Sequence, residues 1–200
     1  MNGQDEGKIS KKQRQIVKTA TDLFTRFGIK RVSVEEICQR AGASKMTFYK
    51  YFRNKLDLLR HIWREWIDEG YARLDEIDSL EIPFSEKMQK IIDYKTELVS
   101  KMSPEFIDQV LHTNPEMTAV LREIFEDSHR LFMDFVIKAQ DRGDMRKMRP
   151  EFVLAVMDKL YELAHDERLR RIYPNHVEFT REINSFLFFG ILRADHRGSI

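Results

Sequence analysis

Apolar residues return every three or four positions along most of the chain, the spacing of an amphipathic helix. No stretch of useful length alternates apolar with polar, as a half-buried strand would. The first stripe is Ile16, Ala20, Leu23, Phe24 and Phe27. Ser10 precedes it with Gln13 three residues on, the form of a capping box, and Gly28 follows as a helix terminator. Ser33 with Glu36 opens a short second helix with Val34, Ile37, Cys38 and Ala41 on its apolar side, and Gly42 follows as its cap. Ser44 caps a third, Lys45 to Phe52, and Asn54 with Asp57 opens a fourth running to Leu74. Further helices are predicted from Ser85 to Met102, from Ser103-Pro104-Glu105, and from Asn114-Pro115-Glu116 to Gln140. Two more run from Pro150 to Arg170 and from Asn175 to Arg193. The fold class is therefore all-α, with about nine helices.

The two short helices around Ala41-Gly42-Ala43 form a helix–turn–helix pattern, backed by the helix from Ser10. At about 100° per residue, Phe48 and Phe52 share the core side of the second member. Met46, Thr47, Tyr49 and Lys50 then point away from it or flank it, and Tyr51 is counted as outward too. Lys50 suits a phosphate or a guanine edge, Thr47 a base or a thymine methyl, and Met46 apolar contact only. Lys45 sits where helix dipole and side chain both attract phosphate. Tyr49, Ser33 and Ser44 offer hydroxyls to phosphate, Lys55 a further cation, and Lys11, Lys12 and Arg14 a basic approach to the backbone. A generic three-helix hairpin with a solvated basic face would share the capping and the core pattern.

Charge separates these two readings. The whole chain carries a net charge of +1, but residues 1–60 hold 14 basic and 6 acidic side chains, a net +8, and residues 61–200 hold the balance, a net −7. A basic module on an acidic body points to nucleic acid or an anionic membrane. A membrane is disfavoured, because the basic part has no long helix with a wide apolar side. The longest apolar run, Phe186 to Leu192, is far short of the ~20 residues a spanning helix needs. At 42% hydrophobic and 34% charged residues the chain is not disordered. One cysteine, Cys38, excludes an intrachain disulfide and a cysteine-clustered zinc site. The expected location is cytoplasmic.

The run Ile16 to Leu59 resembles the DNA-binding domain of the TetR family of transcriptional regulators. The resemblance rests on Ile16, Ala20, Leu23-Phe24 and Gly28; on Val32-Ser33-Val34-Glu35-Glu36-Ile37; on Ala41-Gly42-Ala43-Ser44; and on Thr47-Phe48-Tyr49, Tyr51-Phe52, Asn54-Lys55 and Leu58-Leu59. It implies that Lys45, Met46, Thr47 and Lys50 face bases or nearby backbone, and that Ser33, Tyr49 and Lys55 face phosphates. Cys38 stands where alanine is usual, and Ala43 replaces a commoner valine. Glu35 is acidic where some members place a basic contact; facing DNA, it would weaken binding or add selectivity. The expected division is a helix–turn–helix DNA-binding domain at 1–55 and a helical effector-binding and dimerisation domain at 56–200.

For the body the resemblance implies an effector site and a homodimer. The residues support the dimer independently. The helix from Pro150 has one apolar side of Phe152, Val153, Val156, Leu160 and Leu163, assigned to its own core. A second side of Leu154, Met157, Tyr161 and Ala164 is assigned to the partner. The last helix adds Phe186, Phe188 and Phe189, with Gly190 read as a point of close helix approach, giving a four-helix interface. A helix buried centrally in a monomer is the alternative. For a small hydrophobic effector, candidate lining residues are Trp63, Trp66, Met88, Tyr94, Met102 and Phe106, then Met117, Phe125, Phe132 and Met133, with His112 and His129 as polar anchors. Each also reads as plain core.

An enzyme reading is raised by two Glu-x-x-His pairs, Glu126 with His129 and Glu162 with His165, a pattern that builds di-metal sites in helical bundles. Both pairs lie off their helices' apolar stripes, and no phosphate-binding glycine loop or nucleophile elbow occurs. Cys38 falls on the core side of its helix, where a thiol is inert. The reading is a sequence-specific DNA-binding regulator, most simply a repressor released by its effector, with no catalytic role, cofactor or metal. A non-DNA helical interaction protein is the remaining alternative.

Overall fold

The computed structural model describes residues 10–111, 132–163 and 166–190. Among them the regular structure is helical, with no strand. The helices are α1 Lys11–Phe27, α2 Val34–Arg40, α3 Lys45–Tyr51, α4 Lys55–Asp78, α5 Phe84–Ser100 and α6 Pro104–Leu111. They continue with α7, described over 132–141, then α8 Pro150–Glu162, α9 Glu167–Ile172 and α10 His176–Phe189. The chain divides into two compact units. One is drawn from Met1–Trp66 and Met102–Val120, the other from Ile67–Lys101 and Leu121–Ile200.

The first unit is built on caps that the sequence announces. The Ser10, Ser33 and Ser44 hydroxyls accept from the backbone N–H groups of Gln13, Glu36 and Thr47. Each satisfies a donor that a helix start would otherwise leave open. Its core joins Ile16, Ala20, Leu23 and Phe24 of α1 to Ile37 and Cys38 of α2, Phe48 of α3, and Leu58, Leu59 and Ile62 of α4. The sequence division at 55/56 leaves α6 with the body, but α6 packs on α1 and places Phe106, 1% exposed, in this first core. The Ser103 N–H donates to the Thr25 carbonyl at 2.7 Å, closing the return of the chain.

The second unit packs α5 against α10 and α10 against α8. Its core contains Ile77, Met88, Ile91, Phe132, Phe135, Val136, Val153 and Met157. Arg142 closes on Asp78, the last residue of α4, with Nη1 and Nη2 at 2.9 and 2.6 Å from its carboxylate oxygens.

Several boundaries differ from expectation. α4 runs past Leu74 to Asp78, and α5 starts after Pro83 without a side-chain cap, one residue ahead of the Ser85 start. The predicted helix from Pro150 to Arg170 is two helices. Asp166 takes the N–H groups of Arg168 and Leu169 and starts α9 afresh. The predicted start at Asn114 and the end at Arg193 lie outside the described residues.

Candidate nucleic-acid interface

The reading face follows from what α3 buries. Phe48 is fully buried and Phe52 nearly so, their rings 5.7 Å apart. That fixes the rotation of the helix and turns Met46, Tyr49 and Lys50 outward. Met46 is 83% exposed and Tyr49 55%. A thioether and a phenol thus stand in solvent on the same helix as Lys50, where a partner can reach them.

The neighbouring hydroxyls are already oriented. Ser44 Oγ accepts from Thr47 N–H and shares a 2.8 Å hydrogen bond with Thr47 Oγ1. Ser33 Oγ accepts from Glu36 N–H at 3.1 Å, and the Glu36 carboxylate meets Arg40 at 2.9 Å. Both serines stay exposed. Each keeps a hydroxyl proton or lone pair that a phosphate oxygen can use. Lys11 and Arg14 are exposed on the first turns of α1. Lys12 Nζ donates to the Gly42 carbonyl at 3.0 Å, binding the start of α1 to the turn between α2 and α3.

Two side chains do other work than the sequence suggests. Lys55 is half-buried, and its Nζ donates to the carbonyls of Ile29 and Val32, both at 2.9 Å. Burial lowers its pKa. In this conformation its ammonium closes the turn between α1 and α2 instead of standing free for phosphate. Tyr51, counted as outward, packs on the first core and hydrogen-bonds Ser10 Oγ at 2.8 Å. The outward aromatic of α3 is Tyr49.

Glu35, from the first turn of α2, forms an ion pair with Lys45, the first residue of α3. The lysine's hydrogen bond holds the Glu35 carboxyl below its ordinary range, and the same contact raises Lys45. Cys38 is 4% exposed, and burial pushes its thiol up, so it is a core atom and a poor nucleophile.

The α6 return adds a contact the sequence did not signal. Gln109 Oε1 accepts from the Lys30 N–H at 2.8 Å, in the turn just before Ser33. Gly28 makes room for it. Its φ is +80°, and a Cβ there would stand 2.7 Å from Gln109 Nε2. An alanine would be strained by the backbone and crowded by the amide.

The effector-site candidates do not gather in one core. Trp63, Trp66, Met102 and Phe106 belong to the first unit, where Trp63 stacks on Phe106 at 6.3 Å and meets Trp66 at 5.1 Å. Met88 and Phe132 belong to the second core, and Met133 is half-buried. Tyr94 is half-buried, and that burial raises its phenol. His112, Met117, Phe125 and His129 lie outside the described residues.

The interface candidates are also rearranged. Met157, assigned to the partner side, is 5% exposed in the chain's own core beside Val153. Phe152, assigned to the core side, is 59% exposed. The error is one of rotation: α8 turns the Val153–Met157 stripe inward, so both assigned sides shift. Leu154 is half-buried, Phe186 is 50% exposed, and Phe188 and Phe189 are partly buried against the second core. Gly190, read as a close-approach point, ends α10 with φ +65°, its N–H on the Phe186 carbonyl, and among the described residues, its chain neighbours aside, no heavy atom lies within 4 Å of a Cβ placed there. The side chain of Tyr161 and all of Ala164 lie outside the described residues. Of the Glu-x-x-His residues only Glu162 is described, and its carboxylate is held by Lys159 at 2.8 Å. Among the described residues no cluster of His, Cys, Asp and Glu has metal-binding form, and no helix is long and apolar enough to cross a membrane.

This geometry has known counterparts. The family model for bacterial regulatory proteins, tetR family, matches residues 16–62. The HTH-type transcriptional regulator YhgD of Bacillus subtilis is 25% identical over 155 residues, covering 75% of this chain and 80% of that protein. The fatty acid metabolism regulator protein of B. subtilis is 28% identical over 81 residues, 40% of this chain and 42% of its own. Among solved structures, the fatty acid degradation regulator FadR of Bacillus halodurans superposes with a TM-score of 0.68 at 17% identity, over 92% of this chain and 98% of that one. FadR of B. subtilis, solved in complex with stearoyl-CoA, gives 0.64 at 18% identity, over 90% and 99%. The fold is shared with these structures.

Proposed function

We propose that the chain, whose residues 16–62 match the DNA-binding module of the tetR family, is a helix–turn–helix transcriptional regulator that works as a dimeric repressor released from operator DNA by a small hydrophobic effector. The carrying observation is the outward face of α3, where Met46 and Tyr49 stand exposed beside Thr47 and Lys50 while Phe48 anchors the helix. A seven-residue helix supplies few base contacts. Two copies on two half-sites multiply them, so dimerisation and specificity go together. Phe152 of α8 and Phe186 of α10, exposed on helices that pack on each other, support assigning that surface to the second copy.

We place the effector in the second unit, whose core is rich in phenylalanine and methionine. The complex of B. subtilis FadR with stearoyl-CoA makes a long-chain acyl thioester the first class to test. Release requires the effector to bind the DNA-free form more tightly, by ~1–3 kcal/mol in typical cases. Two segments are placed to carry that difference. α4 gives Leu58, Leu59 and Ile62 to the first core and Ile77 to the second. α6 holds the turn before Ser33 through Gln109.

The test is fluorescence anisotropy on DNA from upstream of the protein's own gene, over a salt series and then with stearoyl-CoA. Specific binding that weakens steeply with salt, and is released by stearoyl-CoA, is expected. Reciprocity requires operator to weaken stearoyl-CoA binding by the same factor. Specific binding indifferent to the thioester removes that effector class. Absence of specific binding removes the operator reading.

A further inference from the structure

The Glu35–Lys45 ion pair has no evident task in the fold. Its side chains are 61% and 54% exposed, and an exposed pair of this kind contributes little to stability. Nor does it help a surface meant only for phosphate. Glu35 repels the backbone of DNA and neutralises the lysine nearest the exposed Met46. The pair is at once a donor and an acceptor in contact, carried by two different helices, α2 and α3, that pack on each other.

A base-pair edge in the major groove offers donors and acceptors in a fixed order. G·C presents guanine N7 and O6 as two acceptors, followed at once by the cytosine N4 amino donor. An ammonium touching a carboxylate matches that order: Lys45 covers N7 and O6, and Glu35 receives N4–H. A·T presents adenine N7, the N6 amino donor, thymine O4 and then the methyl. There Glu35 on N6 would lie against the N7 lone pair, and Lys45 on O4 would be desolvated by the methyl. T·A and C·G put these groups in reverse order. Resting on the operator-binding reading above, we infer that Glu35 and Lys45 act as one reading element that selects a G·C pair, guanine on the Lys45 side, at one position of each half-site. The carboxylate makes an error costly, because on any other base pair its donor comes out of order, so that either Glu35 faces an acceptor or Lys45 loses its own.

The experiment is selection of bound sequences from random double-stranded DNA by the full-length protein, its E35A and E35Q variants, and K45M. The wild type should show one position per half-site with G·C preferred by roughly tenfold, the scale of a good base contact. E35A should flatten that position alone and bind random DNA more tightly. E35Q should shift it toward A·T, since a neutral amide fits adenine N6 and N7. K45M should flatten the same position with weaker binding overall. Both residues are exposed, so thermal midpoints should match the wild type and show the variants folded. Preferences of E35A that superimpose on the wild type at every position overturn the inference and leave the regulator standing. Loss of all binding by folded E35A also overturns it, since Glu35 would then be required and not selective. No enrichment by the wild type overturns the operator reading and this inference together.

Discussion

Around α3 the aromatic rings are sorted by polarity. Phe48 and Phe52 are buried, and the ring left in solvent is Tyr49, which carries a hydroxyl. Among the described side chains of α8 and α10, the rings in solvent are Phe152 and Phe186, bare hydrocarbon. An exposed phenol suits a partner with hydrogen-bonding oxygens, and an exposed phenyl suits one that is apolar. On the proposed reading, the first unit presents its polar ring to DNA and the second its hydrocarbon rings to a second copy.

The comparison can be broken most forcefully at Phe48. Phe48→Ala removes a fully buried ring and should cost ~3–5 kcal/mol, read as a collapsed denaturation midpoint of the DNA-binding module and loss of DNA binding. The next largest effect belongs to the other ring type. Phe152→Asp and Phe186→Asp should each raise the dimer dissociation constant about thirtyfold, the equivalent of ~2 kcal/mol of apolar burial. Sedimentation equilibrium measures this, and an unchanged constant would show that the exposed phenyls face something other than a second copy. Gln109→Ala removes a hydrogen bond worth about 1 kcal/mol; it should leave base preference intact and blunt the release of DNA by effector. Smallest are the contacts of the reading face. Tyr49→Phe should weaken binding about fivefold on all sequences alike. Lys50→Ala should also lower the salt slope by about one, both seen in anisotropy titrations at several salt concentrations.

The first unit was legible because its signals are local. A serine three residues before an N–H it can cap, or a phenylalanine four residues from another, is written within one helical turn, and α1, α2 and α3 follow from such pairs. What failed depended on residues far apart in sequence. Tyr51 turns to Ser10, and Lys55 to Ile29 and Val32, through tertiary contacts that periodicity does not encode. Trp63, Trp66, Met102 and Phe106 look like pocket lining as a list of large apolar residues. The return of α6 onto α1 buries Phe106 in the core of the first unit, and Trp63, Trp66 and Met102 pack against that core. On α8, apolar residues on two sides left the rotation open, and packing against α10 selected Val153 and Met157 for the interior. Gln109 carried no signal at all, since its partner is a backbone N–H in the distant turn at Lys30.

Lys55 gives the module a mechanical property. Only Phe52, Arg53 and Asn54 separate α3 from α4, and such a joint would ordinarily let the longer helix swivel. The Lys55 ammonium, seated on the carbonyls of Ile29 and Val32, opposes that swivel. Turning α4 by one residue, ~100°, would unseat a half-buried charge from both carbonyls at once. The lysine thus ties the first turn of α4 to the backbone that leads into Ser33, a second link beside the three-residue loop.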